Sequence, residues 1–351
     1  MRILIIKTSS LGDIVQTFPA LAFLRKKFPA AQIDWVVEEP FADLVKTHPY
    51  IDNAYCIKTK NWRKSLIAGF QEMLQFRQTL REVSYDLLFD FQSNFKSALV
   101  TLQAKAKDKV GYGRKTVHEW PNLLATNKRF DYPPGLNIRG DLLYLPQAYF
   151  NDFSSFTDEG ISLKVTPQQE DEITQILQQP ELQEGKQMLV CPAAFWKNKQ
   201  LPKETLEKFL QLLTKHHSAK LLLAWGNKQE LELAEQLHKQ FPSESIVIPR
   251  LALPALQNLM SRVSLVIAMD SLPLHLAGTT ATPTLSFFGP SSAAKYKPLS
   301  DKHLAIQGSC PFGRTFEKRC PILRTCPTGD CIHNFSADSL YKQFNNWYNF
   351  N

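Results

Sequence analysis

Asp13 follows the apolar run Ile3-Leu4-Ile5-Ile6 in the stretch Lys7-Thr8-Ser9-Ser10-Leu11-Gly12-Asp13, at the mouth of an amphipathic segment. A strand, a small-residue turn and then a helix is where open α/β sheets gather ligands, because the carboxyl ends of the strands form a crevice. A carboxylate in that position can take a proton during a reaction. It can equally be a helix-start residue, favoured there by unpaired N–H groups and the macrodipole. On the residues both roles stay open.

Three stretches of the second half place polar groups where strands should end. In Cys191-Pro192-Ala193-Ala194-Phe195-Trp196-Lys197-Asn198-Lys199, two lysines precede a helix start and offer compact positive charge to a phosphate. In Ala224-Trp225-Gly226-Asn227-Lys228-Gln229-Glu230, Gly226 lets a ligand approach the backbone and Glu230 can accept from ribose hydroxyls. In Ala268-Met269-Asp270-Ser271-Leu272-Pro273-Leu274-His275, the helix beginning near Ser271 can hold a diphosphate on its first N–H groups, with Asp270 meeting a sugar hydroxyl. Each alone reads as well as an ordinary cap or turn, but unrelated caps need not share one crevice.

The elements that must position these groups follow from the pattern of apolar runs. Strands are expected at Ile3–Ile6, Ile33–Val37, Ala54–Ile57 and Leu87–Asp90, with helices at Ile14–Phe28 and Leu66–Val83. Polar residues from Asn151 to Thr166 interrupt the pattern, and Pro167 suits the first turn of a new helix. The alternation restarts with strands at Met188–Cys191, Leu221–Ala224, Ser245–Ile248, Leu265–Ala268 and Thr284–Phe287. Helices are expected at Lys203–His216, Lys228–Gln240, Leu253–Ser261 and Leu272–Ala277. Strands alternating with helices make parallel sheets. The reading is an α/β protein with domains at 1–160 and 161–335, then a tail helix at 336–351 that can cross back onto the first domain. A chain of 351 residues exceeds what one core usually serves.

Composition narrows the function classes. A hydrophobic fraction of 44% with 23 Phe is globular, and no run nears the roughly 20 apolar residues of a membrane span. The apolar run of the first residues is too short for a signal-peptide core, so a cytoplasmic location is expected. A net charge of +8 favours phosphate-bearing partners. With no recognition-helix, zinc-finger or ribonucleoprotein motif, nothing but charge speaks for nucleic acid, and it is set aside. Of six cysteines, Cys310, Cys320, Cys326 and Cys331 cluster near the end without any C-x₂-C spacing. They read as a reduced or partly paired structural loop rather than a zinc site.

Taken in order, these pieces resemble the glycosyltransferase family 9 heptosyltransferases, which add heptose to the inner core of bacterial lipopolysaccharide. Residues 7–13, Asp34-Trp35-Val36-Val37-Glu38-Glu39 and Trp62-Arg63-Lys64 most resemble heptosyltransferase I. Residues 90–97 fit its D-x-Q-G-x-x-K-S pattern, with Ser93 or Asn94 where glycine is usual. The resemblance implies a GT-B fold, two Rossmann-like domains facing across a central cleft, with acceptor on the first and nucleotide-sugar on the second. It implies an inverting transfer without metal or cofactor, from ADP-heptose to the Kdo region of lipid A-anchored core. By position, Asp13 resembles the catalytic base and Lys199 the lysine on the donor phosphates. Gly226, Glu230, Asp270, Ser271 and His275 complete the implied donor site. Ser9, Ser10, Gly12, Arg63, Lys64, Gln92, Lys96 and Arg114 make the implied acceptor site.

Two departures bear on the donor. Leu272 replaces the glycine of the family's D-[TS]-G-x-x-H element, so a Cβ enters where backbone closes on a diphosphate. Ala193, Ala194 and Phe195 replace residues with hydroxyls. A second heptosyl transfer, another nucleotide sugar, or non-catalytic binding of a nucleotide-sugar or lipid A are the competing readings. The lipid-anchored acceptor and the basic charge also imply peripheral contact with the anionic inner leaflet, through Arg63, Lys64, Arg114 and Lys115.

Overall fold

Ile3, Leu4, Ile5 and Ile6 are all buried, on both faces of their strand, as in a central strand of a parallel sheet covered on each side. The computed structural model describes residues 1–59, 66–156 and 159–348. Arg63 and Lys64 lie outside them. By contacts the chain forms two units, Met1–Asp158 and Glu159–Asn351.

The first unit contains strands β1 (Arg2–Ile6), β2 (Gln32–Glu38), β3 (Asn53–Ile57), β4 (Ser84–Asp90), β5 (Lys105–Tyr112) and β6 (Lys128–Phe130). They lie in the order β3-β2-β1-β4-β5-β6, each pair parallel. The winding reverses between β1 and β4, so the loops after those strands emerge side by side, with Ile6 opposite Asp90. The helix expected over Ile14–Phe28 is two helices, Leu11–Gln16 and Phe18–Lys27. Pro19 explains the break: it has no N–H to give Val15, and its ring obstructs a continuous helix there.

The second unit repeats the plan with β7 (Lys186–Cys191), β8 (Ala219–Leu223), β9 (Ser245–Val247), β10 (Leu265–Met269), β11 (Thr284–Phe288) and β12 (His303–Gln307). Their order is β12-β11-β10-β7-β8-β9, again parallel, and the reversal falls between β7 and β10. β10 and β11 are buried at every position. The tail forms the helix Ala337–Tyr348 and packs within this second unit, where Phe344 meets Phe209 edge-on at 6.1 Å and Phe209 meets Phe287 at 5.8 Å. Leu340 and Phe344 supply the reason: both are wholly buried in the core of this unit. No helix among the described residues is long and apolar enough to cross a membrane.

Truncating Phe344 to Ala removes the ring that joins the tail to this core. We expect a loss of roughly 3–5 kcal/mol in the unfolding of the second unit, measured by urea denaturation. A loss below about 1 kcal/mol would mean that the tail helix is not part of that core.

Candidate active site

In the first unit the site begins with a buried carboxylate. Asp90, the last residue of β4, accepts the N–H groups of Gln92 and Ser93 at 3.0 and 2.9 Å on one oxygen. Its other oxygen accepts the Thr101 hydroxyl at 3.0 Å and the Asn122 amide at 2.6 Å. Burial pushes the Asp90 carboxyl up, and these donors oppose the shift. The turn they shape carries Ser93 at a φ of 53°, the left-handed region that favours glycine. Ser93 therefore stands at the position where the family pattern has glycine.

That turn aims Gln92 at the neighbouring loop. Its Oε1 accepts the N–H of Thr8 at 3.1 Å and of Ser9 at 3.2 Å, tying the loop after β4 to the loop after β1. Ser10 then donates to Asp13 twice, from its N–H at 3.0 Å and from its hydroxyl at 2.8 Å. Asp13 lies in the first turn of the Leu11–Gln16 helix and keeps partial exposure. The capping geometry is thus present, and an exposed edge leaves room for a proton-transfer role as well. Gly12 is partly exposed beside it.

Lys7, to which the sequence motif assigns no role, is buried in the first unit. It donates to the Phe91 carbonyl at 3.2 Å, and its own carbonyl accepts the Trp35 indole N–H at 2.9 Å. Burial lowers the Lys7 ammonium's pKa, while Asp13 and Asp90 act to raise it. Attraction to these two carboxylates favours the charged form of Lys7 against its burial. Lys96 lies further along the edge and donates to the Thr59 hydroxyl at 3.1 Å; that hydroxyl in turn donates to Glu38. Arg114 is exposed on the turn after β5, whose next N–H groups, from Lys115 and Thr116, are held by Asp131.

In the second unit the loops after β7 and β10 meet through one buried ion pair. Lys199 Nζ lies 2.5 Å from Asp270 Oδ2, with both side chains nearly excluded from solvent. His275 Nε2 is 3.9 Å from the other oxygen. Burial alone would raise the Asp270 carboxyl, but Lys199 and His275 outweigh it and hold the group below the ordinary carboxylate range. Lys197, two residues earlier, is exposed. The sequence pattern identifies both lysines and Asp270 but does not show that Lys199 and Asp270 form a buried ion pair.

Glu230 likewise has partners within the protein. One of its oxygens accepts the Gly226 N–H at 2.7 Å and the other the Asn227 amide at 2.6 Å, so it shapes the turn after β8. A ribose hydroxyl would have to share those oxygens. Ser271 caps the Leu272–Ala277 helix by position and donates to the Met269 carbonyl at 3.3 Å. Leu272 takes the first helical position, where a Cβ is ordinary, and Pro273 after it withholds one N–H from any anion. Phe195 is 87% exposed, and Ala194 accepts the Gln200 amide through its carbonyl at 2.6 Å.

The family model for glycosyltransferase family 9 (heptosyltransferase) matches residues 73–325. The chain belongs to that family. A lipopolysaccharide heptosyltransferase 1 of Pseudomonas aeruginosa is 28% identical to this family 9 enzyme, over 91% of this chain and 87% of its own. E. coli heptosyltransferase WaaC with ADP is similar in structure at a TM-score of 0.77 and 22% identity, covering 99% of this chain and 100% of that one. The same protein with ADP-2-deoxy-2-fluoro heptose gives 0.75 and 23%, over 99% of each chain. The two parallel units are those of the GT-B fold.

The ion pair of this family 9 enzyme carries a pH signature. Because the folded Asp270 titrates below its unfolded value of about 3.9, its stabilisation is complete above that value and lost as pH falls through the folded one. Asp270→Asn leaves a buried ammonium without its partner, at a cost of roughly 3–5 kcal/mol at neutral pH. Unfolding free energies across this range should show an acid limb in the parent that is reduced in the variant. Equal acid limbs would contradict the assignment.

Proposed function

We propose that this enzyme moves L-glycero-D-manno-heptose from ADP-heptose to the Kdo region of lipid A-anchored lipopolysaccharide core, as an inverting transferase. Membership of the heptosyltransferase family supports the reaction class. The relatives named lipopolysaccharide heptosyltransferase 1, and a similar fold solved with ADP and with ADP-2-deoxy-2-fluoro heptose, support the donor and the step.

The observation that carries the mechanism is the pairing of Asp13 with Ser10, beside the buried Lys7. In a single displacement the acceptor hydroxyl loses its proton as its oxygen attacks the anomeric carbon. Asp13 receives that proton, and Ser10 fixes the carboxylate's direction. The bond from the anomeric carbon to the diphosphate oxygen breaks in the same step, and negative charge builds on the leaving ADP. Lys199 answers that charge, and the pair with Asp270 keeps its ammonium in place beforehand. Gly226, Glu230, Ser271 and His275 complete the donor site in this reading. Ser9, Gly12, Gln92, Lys96 and Arg114 belong to the acceptor side, and Arg63 and Lys64 join them from outside the described residues.

The same reading gives the first unit a contact with the anionic inner leaflet. Exposed Arg114 and Lys115 support it, as do the exposed rings and side chains of Phe95, Trp120 and Leu124, an apolar and basic combination suited to a lipid headgroup layer.

Asp13→Asn separates the two roles of this acid, since Asn caps a helix about as well as Asp. Incubating Kdo-lipid A with a panel of nucleotide sugars and weighing the product should give a gain of one heptose, from ADP-heptose only. The variant should keep the parent's melting temperature and ADP affinity while turning over roughly 10²–10⁴-fold more slowly. A stable variant with most of the activity would return Asp13 to a capping role, and a gain of another sugar would change the donor.

A further inference from the structure

Cys310, Cys320, Cys326 and Cys331 line one cavity of about 240 Å³, together with Asn198 and Phe312. All four are free thiols. Their spacing along the chain conceals this convergence, because folding of the 310–333 segment brings them together. The segment is fastened to two loops, the one after β11 and the one after β7, and the second of these carries Lys199. Cys320 donates its N–H to the Pro290 carbonyl at 2.8 Å, and Ser292 donates its N–H to the Lys318 carbonyl at 2.9 Å, joining it to the loop after β11. The Asn198 amide donates to the Leu323 carbonyl, and the Arg324 guanidinium sits 5.3 Å from the Trp196 ring centre, joining it to the loop after β7. Asn198 is the residue between the two donor-loop lysines.

Within the cluster the thiols differ in kind. Cys326 is partly exposed, and the N–H groups of Gly329 and Thr328 hold its thiol below the ordinary value. Cys331 is pushed up to about 11 by burial and by the three neighbouring sulfurs. One thiol is thus fitted to attack as thiolate, and the other keeps its proton until a second step. Cys331 is also fixed in place: a Cβ on Gly308 would stand 1.7 Å from its carbonyl oxygen, and one on Gly289 would stand 3.2 Å from its sulfur. Cys326 belongs to the turn ending at Gly329, and a Cβ on Gly329 would lie 3.2 Å from Asn198 Cβ. Drawing Cys326 toward a fixed Cys331 therefore moves the turn against which Asn198 rests.

We propose that this cluster is an oxidation site, where a peroxide joins Cys326 to Cys331 and so loosens the Asn198–Lys199 loop from the donor diphosphate. The effect on the donor rests on the functional reading above; the oxidation itself does not. The Cys326 thiolate attacks one peroxide oxygen, the O–O bond breaks, hydroxide leaves and a sulfenic acid forms. Cys331 sulfur then attacks the Cys326 sulfur, the S–O bond breaks, and the hydroxyl departs with the Cys331 proton as water. Two thiols lose two electrons, and the peroxide gains them.

The test uses the full chain carrying Cys56→Ser, which removes an exposed thiol elsewhere, reduced and then treated with hydrogen peroxide. Peptide mass spectrometry should find a Cys326–Cys331 linkage. Calorimetry should find ADP affinity lowered about tenfold and restored by dithiothreitol. Cys331→Ser should stop at a sulfenic acid on Cys326, trapped by dimedone, with no disulfide. A linkage between other cysteines, a cluster left unoxidised, native mass spectra showing a metal ion held by the four thiols, or a mapped disulfide with unchanged ADP affinity would each overturn the proposal. If the reduced chain binds no ADP, the functional reading fails, and the mapped linkage still reports on the oxidation.

Discussion

Parallel pairing with a reversal of winding is the constraint on which the site depends. Each sheet turns its strand order once, at β1/β4 and at β7/β10, and at those two places neighbouring strands send their following loops in opposite directions over the sheet. Polar residues at such strand ends are brought together without any need for sequence proximity. Asp13 and Gln92 are 79 positions apart, yet the Gln92 amide holds the loop that leads to Asp13. Lys199 and Asp270 are 71 apart and form an ion pair.

The two units use charge differently. In the first, a buried Lys7 and a buried Asp90 are internal fixtures, and Asp13 keeps partial exposure at the edge. Burial works against the charged form of both fixtures, opposed at Asp90 by its hydrogen-bond donors and at Lys7 by the neighbouring carboxylates, while Ser10 sets the direction of Asp13. In the second, the positive group itself is buried with its counter-ion. A buried pair contributes little net stability compared with an apolar replacement, so its retention points to what it does when a ligand comes. In the proposed reaction a diphosphate arriving at Lys199 would compete with Asp270 for the same ammonium, with His275 3.9 Å from Asp270.

Much of this was legible beforehand. Continuous apolar runs such as Leu265–Met269 announce buried parallel strands, and Pro167 does begin a helix. β5 was not legible, because Lys105, Lys107 and Lys109 dilute its apolar content at a position where one end of the strand faces solvent. β6 and β12 are short or polar in the same way. The break at Thr17 needed more weight on Pro19 than on the apolar periodicity around it. Among site residues, Asp13, Lys199 and Asp270 could be picked out by type and place. The closed state of Lys199, the two local bonds of Glu230 and the central position of Lys7 depend on partners far along the chain, which no local pattern carries. Leu272 shows the converse: a departure from the family pattern that the fold absorbs as an ordinary first helical residue.

In the proposed reaction Lys199 is the cation that meets the donor diphosphate. Calorimetric titration of ADP and of adenosine into the parent and into Lys199→Gln isolates the phosphate contribution, since adenosine lacks the diphosphate. ADP affinity should fall by the equivalent of about 1.5–3 kcal/mol while adenosine affinity stays the same. Equal losses for both ligands, or no loss for ADP, would contradict that role of Lys199.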